Sequence, residues 1–98
     1  MSRKKAMETF TWSQAKRESN RVRHRLDFAD AVTVFAGITF TFEDTRFCYD
    51  ERRYITLGLL RGKPVCIVHT EHANQIRIIS FRKATRREAE IYFEEVRH

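Results

Sequence analysis

Arginine, histidine and glutamate recur in three short segments of this chain: Glu51 and Arg53 in "DERRY", His69 in "VCIVHT", and Arg77 and Arg82 in "QIRIISFR". Together they match the needs of metal-free RNA cleavage. A base takes the proton from a ribose 2'-OH, guanidiniums hold the charge of the pentacoordinate phosphate, and an acid protonates the leaving oxygen. DNA lacks that internal nucleophile.

Each residue also has a structural role to compete with the catalytic one. An arginine in mid-strand among apolar neighbours must reach water, pair with a carboxylate or bind a ligand, because an unpaired buried charge is costly. For Arg77 the structural alternative is an ion pair with Glu51 or Glu71. In a regular strand Ile76, Ile78, Ser80 and Arg82 face one way, and Arg77, Ile79 and Phe81 the other; a bend at the strand end lets Arg82 join Arg77. His69 shares a face with Val65 and Ile67, where a hydrogen-bonded core histidine is the competing role. Beside arginines its imidazole leans to the neutral, proton-accepting form. Either His69 or Glu51 is thus a candidate base.

Composition narrows the function classes. The chain has 98 residues, 42% of them hydrophobic, enough for one compact core. The net charge is +6, and fourteen of the nineteen basic residues are arginine. Guanidinium forks suit phosphate oxygens, so an anionic partner is expected. No apolar run suits a membrane span or a secretory signal, and the expected location is cytoplasmic. Cys48 and Cys66 lack the further partners a disulfide framework or zinc site needs; both are expected reduced, with Cys66 a small buried hydrophobe. The "HTEH" pair falls in a turn that does not align two ligands, so no metal is assigned. Isolated glycines make no nucleotide loop, there is no serine elbow, and no cofactor is expected.

The elements that must position these side chains follow from patterning. Residues 1–9, polar and basic, are expected to be a flexible terminus, and 10–98 a single domain. Phe10 to Trp12 suits a short edge strand. Ser13 caps a helix over "SQAKRESNRVRHR", on which Lys16, Asn20 and His24 share a face. Asp27 caps a second helix with a buried stripe of Phe28, Ala31, Val32 and Phe35, ended by Gly37. Strands are predicted at "ITFTFED", "RYITLGLL", "VCIVHT" and "QIRIISFR", with "DTRFCYDER" a loop that could hang over a site. Thr85 and Glu88 form a capping box opening a last helix to about Val96, whose apolar face includes Tyr92. The predicted fold is α+β: a short N-terminal strand, two helices, an antiparallel meander of about four strands and a C-terminal helix, in two layers with helices mainly on one face.

The segments "FTW", "AKRESNRVRH", "DFADAVTVF", "ERRYITLG", "VCIVHT" and "RIISFRKATRREAEIY" together resemble the BrnT family of type II toxins over roughly residues 10 to 93. The resemblance implies a RelE-like fold, a ribonuclease activity that halts translation, and neutralisation by a BrnA-like ribbon-helix-helix antitoxin through which the complex binds promoter DNA. It maps the family's charged positions onto Glu51, Arg53, His69, Arg77, Arg82 and Arg86, with Lys16 and His24 in the first helix. The positions carry over as motif matches; the roles are inferred from the residue chemistry, with Arg77 and Arg82 expected to stabilise the transition state and Arg53 and Arg86 to position the RNA backbone. Lys16 and His24 extend the RNA track, and Tyr92 stacks on a base, acts as acid, or packs in the core.

Two positions depart from the family pattern. Arg25 replaces a glycine after the first helix, and since a left-handed non-glycine cap costs on the order of 1 kcal/mol, a differently built helix end is expected. Arg52 replaces a second acid beside Glu51. The rival function is a non-catalytic module gripping an acidic antitoxin segment or promoter DNA, or an attenuated toxin retained as corepressor.

Overall fold

The computed structural model describes residues 8–46, 48 and 50–97. Most of the expected basic terminus, residues 1–7, lies outside the described residues, as do Phe47, Tyr49 and His98. The order is β1 (Thr9–Thr11), α1 (Gln14–His24), α2 (Phe28–Phe35), β2 (Phe40–Glu43), β3 (Tyr54–Leu60), β4 (Lys63–His72), β5 (Gln75–Lys83) and α3 (Arg86–Val96). The strands form one sheet in the order β1-β5-β4-β3-β2. The predicted α+β layout is therefore present, with β1 added parallel to β5 beside an antiparallel β2–β5 meander.

The two hairpins are tight. Leu60 pairs with Lys63 across Arg61 and Gly62, whose φ angles of 50° and 81° give the doubly left-handed turn that matches strand twist. His72 pairs with Gln75 across Ala73 and Asn74. β4, which carries the apolar run from Val65 to Val68, takes the central position, as a strand buried on both faces should.

Two cores lie on opposite faces of the sheet. One joins Phe28, Ala31, Val34 and Phe35 of α2 to Val65, Ile67, Ile76, Ile78 and Phe81. The other joins Ile55, Leu57 and Cys66 to Tyr92 of α3. Helix α2 thus covers one face and α3 the other, while α1 lends no residue to either core and lies against the free edge of β5, so the helices are not gathered mainly on one face. Val34, not Val32, completes the buried stripe of α2, because Val34 lies over Gly58: a Cβ there would come within 2.6 Å of Val34 Cγ1. The glycine in β3 lets the helix approach the sheet.

Helix ends follow the predicted chemistry, with one exception. Ser13, Asp27 and Thr85 cap α1, α2 and α3, and Thr85 and Glu88 complete the capping box. The junction of α1 and α2 is tied by a paired contact from Arg17 to Asp27, Nε–Oδ1 2.7 Å and Nη2–Oδ2 3.0 Å. The exception is Arg25. The end of α1 is not rebuilt to avoid strain; Arg25 itself takes the left-handed conformation at φ 61°, its N–H donating to Arg21 O at 2.9 Å. The hydrogen bond and the bend into α2 outweigh the cost of its side chain.

Candidate functional site

The sheet decides which charges can meet, and one irregularity decides the sheet. Val68 pairs with Ser80, but His69 pairs with Ile78, leaving Ile79 as an extra residue in β5. Such a bulge reverses the alternation beyond it. Ile76, Ile78 and Phe81 all enter the α2-side core, whereas a regular strand would have turned Phe81 away from the two isoleucines. Arg77, opposite Thr70, and Arg82, opposite Cys66, consequently share the other face. The regular alternation predicted for "QIRIISFR" is thus overturned, and the bend foreseen for Arg82 is a bulge three residues earlier.

Arg77 is exposed on this face. Arg82 is about three-quarters buried, its side chain 24% exposed. Its Nη1 and Nη2 donate to Oε1 and Oε2 of Glu88 at 2.8 and 2.9 Å, and Nη1 also reaches the Lys83 carbonyl at 3.2 Å. Glu88 raises the Arg82 pKa, and Arg82 in turn lowers that of Glu88. The Nε–H and one Nη2–H of Arg82 are not used by these bonds.

Helix α1 reaches the same strand from the sheet edge. β1 pairs only with residues 75–77 of β5, and beyond it the Asn20 side chain takes the place of a strand. Its Nδ2 donates to Phe81 O at 2.8 Å and its Oδ1 accepts from Phe81 N at 3.1 Å. The predicted face of Lys16, Asn20 and His24 is therefore the face turned to β5. Lys16 is exposed at one end, and His24 is half-buried at the other. Burial, then the positive fields of Arg23 and Arg82, lower the His24 pKa, favouring a neutral imidazole.

The segment between β2 and β3 supplies the remaining charges. Asp44 is buried and accepts from Arg46 at 2.8 and 2.9 Å. Arg46 is near enough to Arg82 to oppose its charge. Glu51 is exposed and Arg53 half-buried, and together with Cys48 and Asp50 they line an open cleft of about 510 Å³. Arg53 directly precedes Tyr54, so alternation places it on the face of Ile55 and Arg77. Arg86 opens α3, 95% exposed, with Glu90 at 3.7 Å.

Two predicted site residues stand apart. His69 is fully buried on the α2 side, opposite the arginine face. Its Nε2 is 2.7 Å from Thr56 Oγ1, itself 2.7 Å from Thr41 Oγ1, and its ring meets Phe35 edge-on and stacks on Tyr54. An imidazole in that setting is a core residue with no exposed surface, the structural role weighed for it against that of base. Tyr92 is 3% exposed and donates its hydroxyl to Ile38 O at 2.9 Å. It packs α3 against the sheet, the core role weighed for it. Nor do His69 and His72 form a ligand pair, since an odd spacing along β4 turns them to opposite faces.

Arg46 and Glu88 were not singled out as site residues by the sequence. Glu88 was legible only as a cap, because its second partner comes from the preceding strand. Arg46 was one of several loop arginines with nothing to mark it. Cys66 is buried as predicted, and burial pushes its thiol up to about 12, removing it as a nucleophile.

A sheet face carrying Arg77, Arg82 and Arg53, flanked by a neutral-leaning imidazole, marks a small α+β protein with one strongly basic face. The family model described as ribonuclease toxin, BrnT, of type II toxin-antitoxin systems matches residues 12–88. The chain belongs to this family, and with it to the ribonuclease toxins that are paired with an antitoxin. None of the curated proteins compared with the chain matches it. Among the described residues, no helix is long and apolar enough to cross a membrane.

Proposed function

We propose that the protein is a metal-independent endoribonuclease that cleaves RNA by attack of the ribose 2'-OH, and that the reaction takes place where Arg82 and His24 approach each other at the β5 edge. The observation carrying this reading is the β5 bulge, which turns Arg77 and Arg82 to one face. Some 15 Å of strand separates their Cα atoms, so they suit neighbouring phosphates better than a single one. Arg82 offers its unused N–H groups to the scissile phosphate, and Arg77 holds a flanking one. His24, kept neutral, draws the 2'-OH proton as the 2'-oxygen bonds to phosphorus. The P–O5' bond breaks, and the departing 5'-oxygen takes a proton from water or from the imidazolium so formed; Glu51 is the alternative base. Arg53, Lys16 and Arg86 extend the backbone track. Cleavage in this mode halts translation, and the neutralising partner is a ribbon-helix-helix antitoxin of the BrnA type, which carries the complex to promoter DNA.

The Arg82–Glu88 fork favours a second reading, in which Arg82 is structural and the face serves only to bind. The test is incubation of purified protein with naked RNA in EDTA. Fragments ending in 2',3'-cyclic phosphate, and resistance of a substrate bearing 2'-deoxyribose at the cut site, are the results expected. Cleavage abolished by the chelator would remove the mechanism.

A further inference from the structure

A second basic feature lies at the opposite end of the sheet from the Glu51–Arg53 cleft, where the β3–β4 turn, the end of β5 and the start of α3 meet. They enclose an open groove of about 540 Å³, within the range of roughly 300–1,000 Å³ typical of ligand clefts. Its floor is aliphatic, built from Leu26, Leu60, Pro64 and Ala89 among others. Its rim carries Arg61, Lys63, Lys83 and Arg86. Among the described residues lining it there is neither an acid nor an aromatic ring.

The composition of the groove selects its occupant. Four cations around an apolar floor call for a ligand with carboxylates outside and aliphatic side chains inside. A nucleobase would want an aromatic platform, which the floor does not supply. The rim charges are available: Arg61 approaches Asp30 only at 3.9 Å and Arg86 approaches Glu90 at 3.7 Å, both largely exposed pairs of little strength. Lys63 and Lys83 are exposed and form no ion pair among the described residues.

We infer that this groove is the docking site for an acidic, amphipathic segment of the antitoxin, its aliphatic side chains entering between Leu60 and Ala89 and its carboxylates meeting Lys63, Lys83 and Arg61. Lys83 and Ala84 directly follow Arg82 in the chain, so an occupant here ends beside the arginine face. Inhibition then follows from proximity to RNA, without any contact to His24. The docking rests on the family's pairing with an antitoxin; only the inhibition rests on the proposed reaction.

The experiment measures affinity of the full-length protein for its purified antitoxin alongside cleavage of naked RNA, for the wild type and the double variant Lys63→Glu/Lys83→Glu. The expected result is binding weakened about thirtyfold with cleavage by the free protein unchanged. Affinity within about twofold of wild type overturns the proposal, and so does loss of cleavage with affinity retained, which would make RNA the occupant. Should the charge reversal fail to fold by circular dichroism, the neutral pair Lys63→Gln/Lys83→Gln must still lower affinity and flatten its salt dependence; an unchanged salt slope overturns the proposal. A wild-type protein inactive on RNA whose antitoxin affinity still falls in the variant would end the nuclease reading and leave the docking site standing.

Discussion

Arg82 and Glu88, six residues apart across the β5–α3 junction, meet in a two-pronged contact of 2.8 and 2.9 Å, and the same carboxylate accepts the Thr85 N–H at 2.8 Å. One glutamate therefore caps a helix and aims an arginine. Replacing it with alanine removes three hydrogen bonds and leaves a largely buried guanidinium without its counter-charge. We expect Glu88→Ala to lose about 2–3 kcal/mol in urea unfolding at pH 7.

Acid should weaken the fold through two carboxylates. Glu88 is held below its ordinary 4.5 by Arg82, so its contribution is present above the unfolded value and lost as pH falls through the folded one. Asp27 is held at about 2, against 3.8 ordinarily, chiefly by its hydrogen bonds from Arg17 and then from the Ala29 N–H. Its contribution is complete above about pH 4 and disappears toward pH 2. The urea midpoint of wild type should fall across that window, and that of Asp27→Asn should start lower at pH 7 and change less.

Arg25 holds a left-handed φ of 61° with an exposed side chain. Arg25→Gly relieves the clash of Cβ with its own backbone, while glycine adds freedom to the unfolded chain. The first effect is the larger, and stabilisation of about 0.5–1 kcal/mol should appear as a higher melting temperature.

Asn20 closes the edge of β5 with two side-chain bonds to Phe81. Asn20→Ala leaves a buried N–H and C=O unpaired and should cost about 2–3 kcal/mol. Hydrogen exchange would show the Phe81 amide losing protection ahead of Ile67.

Arg77 and His69 should separate function from folding. Arg77→Ala is expected to raise KM for RNA about tenfold with the unfolding curve unchanged, because the side chain is exposed and its proposed role is to hold a flanking phosphate. His69→Ala should cost about 2–4 kcal/mol, yet cleavage per folded molecule should persist. Loss of cleavage by stably folded His69→Ala would return the buried imidazole to the mechanism.

The sequence by itself determined the elements and much of their ends. Ser13, Asp27 and the Thr85–Glu88 box are local chemistry, readable because a cap and its partner lie within three residues. The apolar run of β4 declared a central strand, and the arginine bias declared an anionic partner. Which face each charge occupies was decided only in three dimensions. A strand's alternation is a parity, and the single extra residue at Ile79 inverts that parity for everything after it, uniting Arg77 with Arg82. His69 keeps the parity it was assigned, but the helix laid over its face buries it, and nothing in six residues of β4 records where α2 will pack. The proposed base is instead His24, whose approach to Arg82 depends on the packing of α1 against β5, tied by the Asn20–Phe81 bonds across 61 positions of the chain.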